Sequence, residues 1–524
     1  MPTILNNGQP VTSAGALESA IIAADDTAAG SGPLTIEVGG SIALTGVLDA
    51  INLKTGVSLD IEGTNSAGTA PQDQILDGQN SYQGLFVYSG AVTVANLSLT
   101  DMIAQGGNGA SGGGGGAGLG GGLFVASGGD VTLEDVGFSG DAAKGGAGAE
   151  HTPGKIGGGG GGGLDGGAGG TGSLGGGGGG GGVGPGAHGG DAYGSSDGLG
   201  GAGIIKNAAG GGTTGGGFSH GGGGGPSGGG GGGYSYTGGT SASGGAGGGV
   251  GGGGDLGNGG FGGGGGGGEE KAAKGGFGGG GGGASDGAGG AGSFGGGGGG
   301  GYSRGYGGGS AFGGGHGGAG EGGGGLGAGG DIFVQSGGTL TIEGSTATLG
   351  AGTASGGGGA SSGAGDGGGL FLDGAAITLT PGAGQTLTIA GVIADNGGGS
   401  LVLNGAGTLA LTADNALSGG VALDAGALDL TTAGAVGSGN MIFDSSGPGA
   451  TLQIGPAATP ANGGTFSNTL VGFGEIDSLD IQGLAYAAGA TATVINSATL
   501  AVTSGGTTVN FNLATPSGTT FYVD

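Results

Sequence analysis

Three Gly-x-Ser-x-Gly matches have the residue types and spacing of a serine nucleophile: Gly217 to Gly221 around Ser219, Gly225 to Gly229 around Ser227, and Gly301 to Gly305 around Ser303. Such an elbow needs a strand before it and a helix after it. All three lie in glycine tracts without a helical pattern, so they read as chance matches and the expectation is a protein that is not an enzyme. Four histidines, His151, His188, His220 and His316, offer imidazole to a metal. Their separations of 37, 32 and 96 residues do not suit a shared ion, and the chain has no cysteine to join them. Gly160 to Asp165 begins like a calcium-binding nonapeptide repeat, but Gly167 stands where that repeat needs an apolar residue. No cofactor is expected, beyond diffuse calcium binding by surface carboxylates. Asp60, Asp77 and Asp101 fall on early strands and keep a polysaccharide-binding or -degrading protein open as an alternative. A lyase is harder to assemble, because outside the glycine-rich region the chain has one cation, Lys54.

Aromatic residues beside glycine point instead to a binding surface. Tyr193, Tyr234, Tyr236, Tyr302, Tyr306 and Phe312 are expected to stand exposed on a glycine-rich crest, where they stack on sugar rings or pack between molecules. The other role open to them is to anchor their own loops. The stretch Gly300 to Gly307 has the look of an RNA-binding Gly/Arg segment, yet 7 basic against 36 acidic residues leave a net charge of −29. A chain this acidic does not neutralise a phosphate backbone, so nucleic acid is excluded as a partner. No apolar run approaches the length of a membrane-spanning helix.

The elements that must position these residues follow from composition. Glycine makes up 177 of 524 residues, without the period or the proline content of collagen. Residues 1–104 alternate β-branched and polar types and open with a helix, predicted from Ser13 as N-cap to Ala29, with Leu17, Ala20, Ile21 and Ala24 on one face. Residues 105–330 are a glycine-rich insert interrupted by one strand repeat at 121–143. Residues 331–460 return to short strands, and 461–524 form a C-terminal β module that reads as open-ended. Leu85-Phe86-Val87 with Val92-Thr93-Val94 recurs at Leu123-Phe124-Val125, at Ile332-Phe333-Val334 and at Leu370-Phe371-Leu372. The phenylalanines are 38 residues apart within each pair and 209 apart between the pairs, which predicts coils of about 19 residues in a stacked solenoid. Leu409 and Leu428, 19 apart, fit one such coil. Glycine always follows at the same phase of the repeat, so the inserts are expected on one face, and the strand stack is expected to fold without residues 145–328.

The fold class this predicts is all-β: a parallel, right-handed β-helix solenoid with an N-terminal capping helix. For the insert two states stay open. Ordering its backbone costs about 1–2 kcal/mol per residue with few side chains to bury, which favours a solvated loop. The other state is a set of laterally hydrogen-bonded three-fold helices of the polyglycine-II kind.

Gly120-Gly121-Gly122-Leu123-Phe124-Val125, followed by Val131 to Asp141, resembles the repeats of autotransporter passengers and polymorphic outer-membrane proteins. The stretch from Gly407 through Asn415 to Leu430 is similar to the passenger-associated repeat, with Ala416-Leu417 where family members place Thr-Tyr. The tail from Gly472 to Val509 looks like modules of large bacterial exoproteins. The resemblance covers about 85–145 and 330–524, and implies a location outside the cell or on the bacterial cell surface, with adhesion or assembly as the role. Self-association is expected from an uncovered β edge at the C-terminal end of the strand stack and from the bare glycine crests, and the adhesive role gives a cell-surface glycan or receptor as partner. The bulk of the glycine insert looks more like the polyglycine layers of phage receptor-binding adhesins. The first residues carry no secretory leader, so either export uses a signal elsewhere or the chain is a piece of something longer, and the last residues, within a strand pattern, favour the second.

Overall fold

The computed structural model describes residues 3–173, 176–193, 196–197, 200–206, 228–229, 233–234, 249, 258–302, 306–344, 348–444, 446–496, 498–516 and 520–523. The chain is mostly sheet with very few helices, and 26 strands belong to one large, mostly parallel sheet. The helix Ala14–Asp26 opens on Ser13, whose hydroxyl accepts from the Ala16 amide, and buries Leu17, Ala20, Ile21 and Ala24. It ends three residues before Ala29, where the Thr27 amide turns back to the Ala24 carbonyl.

The 38-residue repeat becomes strand register. Leu85–Thr100 pairs in parallel with Leu123–Ser139, setting Phe86 beside Phe124 and Val92 beside Val131. Phe124 then pairs with Phe333, and Phe333 with Phe371. The long insert leaves this register intact, because Val131 and Leu133 still meet Leu340 and Ile342. Further along, Leu387, Leu409, Leu428, Leu452 and Leu479 continue one column. The two longest strands and their neighbours bend at residues in the left-handed region. Asn96, Asp135 and Gly344 share one corner with φ of 52°, 54° and 77°, and Asp101 and Gly140 share another with 53° and 73°. Asn, Asp and Gly are the types that tolerate this conformation.

The glycine segments leave from three short parallel strands, Ile103–Gln105, Ala142–Lys144 and Thr353–Ser355. They return through three others, Gly118–Leu119, Gly327–Ala328 and Gly365–Asp366. Between these points the described glycine runs bond to each other. The amides of Gly158 and Gly161 donate to Ser111 and Gly114, those of Gly159 and Gly162 to Gly170 and Gly167, and those of Gly160 and Gly163 to Gly265 and Gly262. The direction of donation therefore repeats every third residue. A β-strand, which alternates between two sides, has no such repeat.

Three more passes lie in the remaining directions, where a Cβ would stand. A methyl group on Gly158, Gly159 or Gly160 would strike the carbonyl oxygen of Ala110, Gly179 or Gly280. The pass 157–163 is thus surrounded on all sides by backbone, an approach that only glycine permits.

At its inner edge this layer carries a second row of phenylalanines. Phe261, Phe277, Phe294 and Phe312 each precede a glycine with positive φ, at Gly262, Gly278, Gly295 and Gly313. Their rings stack on one another at 5.5, 4.8 and 5.4 Å. They lie across the sheet's own row of Phe86, Phe124, Phe333 and Phe371, with Phe312 5.5 Å from Phe371 and Phe294 5.9 Å from Phe333. In this seam the insert covers an apolar row of the sheet, which argues against the strands folding without residues 145–328.

At the other end, Thr491–Ile495, Thr499–Ser504 and Thr507–Ala514 turn antiparallel, and the last also pairs in parallel with Thr465–Val471. The edge of Thr465–Val471, expected to lie uncovered there, is occupied by this meander, whose Leu500, Val509 and Phe511 are buried.

Phe333→Ala empties the centre of the seam and is expected to cost about 3–5 kcal/mol in denaturant unfolding. Deleting 145–328 is expected to yield aggregated protein in size-exclusion chromatography. In the glycine layer, Gly162→Ala sets a methyl 2.0 Å from the Gly182 carbonyl, while Gly309→Ala meets nothing within 4 Å. The first is expected to lower the thermal midpoint by the equivalent of about 1–3 kcal/mol, and the second to change it by less than about 0.5 kcal/mol.

Candidate functional site

Turns alternate along the glycine layer. Phe-Gly turns face the sheet, and the opposite turns carry polar residues to solvent. Gly268, Ala284, Gly301 and Ala319 form a ladder of parallel bridges along that outer rim. Glu269, Glu270, Lys271 and Asp286 are exposed beside it. Tyr302 is 47% exposed and Tyr306 87%. The Tyr302 ring stacks on His151 at 4.6 Å, and burial lowers the histidine pKa, which favours a neutral imidazole under the tyrosine. Beside this pair Glu150 bridges Glu321. The rim therefore presents an exposed phenol, a stacked aromatic pair and carboxylates on a backbone held from below.

Of the six aromatic residues expected on the crest, Tyr302 and Tyr306 stand on this rim. Phe312 does not, because it is half-buried between Phe294 and Phe371 and belongs to the inner seam. Tyr193 and Tyr234 lie on two-residue strands, Ala192–Tyr193 and Gly233–Tyr234, of which the backbone is described. Tyr236, His220, Ser219, Ser227 and Ser303 lie outside the described residues. Among the described residues no group of three or more His, Asp or Glu is arranged to hold a metal ion, and no helix is long and apolar enough to cross a membrane. His151 is the rim residue that sequence reasoning missed as a tyrosine partner. Nothing in the sequence joins positions 151 and 302, which meet across glycine passes.

Beneath the layer, buried carboxyl groups close the points where strands leave the sheet. Asp141 Oδ1 accepts from the Met102 amide at 2.8 Å, and Asp165 Oδ1 from the Gln105 amide at 3.2 Å. Asp331 is 0% exposed at the start of the strand Ile332–Val334. Burial pushes Asp141 up to about 9, Asp331 to about 8 and Asp165 to about 7. Asp141 and Asp165 satisfy backbone amides, whereas both Asp331 oxygens are buried without a hydrogen-bond partner, and at neutral pH Asp141 and Asp331 are mainly neutral acids.

A carboxyl with a raised folded pKa holds its proton more tightly in the folded chain than in the unfolded one. Its contribution to stability is full below about pH 4 and is lost as pH rises through the folded value. The thermal midpoint is therefore expected to be lower at pH 9 than at pH 5. Asp141→Asn, which keeps the acceptor for Met102 and removes the charge, is expected to narrow that difference in a scanning calorimeter. No known protein family, curated protein or solved structure matches this chain.

Proposed function

We propose that the protein is an extracellular structural or adhesive protein of the bacterial cell surface, built as a right-handed parallel β-helix with a polyglycine-II layer on one face. The observation that carries this reading is the three-fold donation pattern around the pass 157–163, set on strands whose parallel register survives a 209-residue excursion. Helices with three residues per turn and no internal hydrogen bonds must bond sideways, which gives a stiff layer almost without side chains. Such a layer is an uneconomical way to build a catalytic cleft and a direct way to hold a row of outer turns away from the strands.

The outer rim is the attachment surface in this reading. Tyr306 and the Tyr302–His151 pair offer flat faces for the apolar side of a sugar ring or for a neighbouring molecule. The partners are a cell-surface glycan or receptor and further copies of the chain. The charge of −29 opposes random association and makes assembly dependent on salt or divalent cations. A receptor-binding adhesin of phage type is a second form of the same reading, favoured by the polar turns at the far edge of the glycine layer.

The test is adhesion of protein-coated beads to a panel of glycans and bacterial surfaces. Tyr302→Ala with Tyr306→Ala is expected to weaken attachment about tenfold while leaving the thermal midpoint unchanged. Attachment indifferent to both tyrosines removes the rim from the account. Turnover of any polysaccharide in the panel contradicts the structural reading.

A further inference from the structure

Residues 204–206 of the insert meet the segment 49–52 that follows the N-terminal helix. The Ala50 amide donates to the Ile204 carbonyl at 2.9 Å, and Asn52 Nδ2 to the Lys206 carbonyl at 2.6 Å. Ile205 is buried beside Ala50 and Phe86. These contacts deliver the Lys206 Nζ to the Asp49 carboxylate, with which it forms an ion pair. Asp49 is 8% exposed. On its other side stands Glu18 of the helix, whose Oε2 accepts from the Asp49 amide at 2.9 Å and whose carboxyl also bonds the Asp49 side chain. Asp25, about two turns further along the same face of the helix, is 1% exposed and accepts from the Asn52 amide at 2.8 Å.

We propose that Lys206 and Asp49 are joined by an amide bond that the folded protein forms by itself, with Glu18 as its proton-transfer residue. A lysine, an aspartate and a second carboxyl are the groups such a condensation needs, and here three distant segments bring them together. In the reaction the Lys206 ammonium first passes a proton to the Asp49 carboxylate of its ion pair, leaving a neutral amine beside a neutral acid. The amine attacks Asp49 Cγ while protonated Glu18 hydrogen-bonds to an Asp49 oxygen and makes Cγ more electrophilic. Glu18 then gives its proton to the departing hydroxyl as it takes one from the nitrogen, so the C–N bond forms, the C–O bond breaks, water leaves and Glu18 ends protonated as it began. No group is oxidised or reduced and no further reactant enters.

The environment suits the step. Burial raises the Glu18 pKa above the ordinary carboxylate range, and the neighbouring Asp49 charge adds to it, against the opposing Asp49 amide and Lys206. A raised pKa favours the protonated form that the attack requires. The fixed backbone at 204–206 supplies the proximity that turns a slow condensation into an intramolecular one. The bond would close a loop of 157 residues in a chain that has no cysteine, and so no disulfide to perform that task.

Tryptic digestion of the boiled, denatured full chain, followed by mass spectrometry, decides the matter. Trypsin cuts after Lys54, Lys155, Lys206 and Lys271 in an unlinked chain. The expected product is a branched species of residues 1–54 joined to 156–271, uncut at Lys206 and lighter than its two parts by one water. It should be lost entirely in Lys206→Ala, Asp49→Ala and Glu18→Gln. Separate 1–54 and 156–206 peptides from the natural chain overturn the proposal and leave an ion pair. A linked product in Glu18→Gln removes Glu18 from the mechanism.

Discussion

The structure depends on the absence of a Cβ. Around the pass 157–163 the neighbouring carbonyl oxygens occupy the positions where side chains would begin, and every amide from Gly158 to Gly163 donates to another segment. Glycine loses more conformational entropy on ordering than any other residue, and the hydrophobic effect returns little to a pass without side chains. What offsets that loss is close packing together with complete satisfaction of buried peptide groups, each of which would otherwise be costly to leave unpaired. The layer can be dense because it is bare.

A lattice of this kind has no means of choosing where it sits, and the two phenylalanine rows supply one. The inner turns place a ring at each Phe-Gly step, and the sheet presents a matching ring at each repeat. Edge-to-face contacts between the rows then fix the layer's height and direction on the strands. Strand and layer share one apolar seam, so each covers side chains that the other would leave exposed. The same junction explains the acids: strands that depart from a sheet strand their amides, and Asp141 and Asp165 reach back to satisfy them.

The strand stack was legible in the sequence because its repeat is strict. Phe86, Phe124, Phe333 and Phe371 occupy equal positions in equal phrases, and period-two alternation around them names the inward face. The helix was legible from Ser13 and four apolar residues at helical spacing. The layer was less so, although it left a signal: Phe261, Phe277, Phe294 and Phe312 recur at steps of 16, 17 and 18 residues. The step drifts because each unit is two glycine passes and two turns of unequal length, which blurs a fixed-period search. Phe312 was misassigned for the same reason, since an aromatic residue among glycines looks exposed until its turn is known to face the sheet. The encounters of His151 with Tyr302 and of Lys206 with Asp49 were not legible, because they depend on which passes become neighbours and glycine runs carry no pairing information.

Hydrogen–deuterium exchange of the glycine amides tests the central claim most directly. If the passes form a buried, fully bonded layer, the amides of 157–163 and 279–283 exchange as slowly as those of the strand Leu123–Ser139. Exchange of those glycines at the rate of an unstructured peptide, beside a protected strand, would contradict the account.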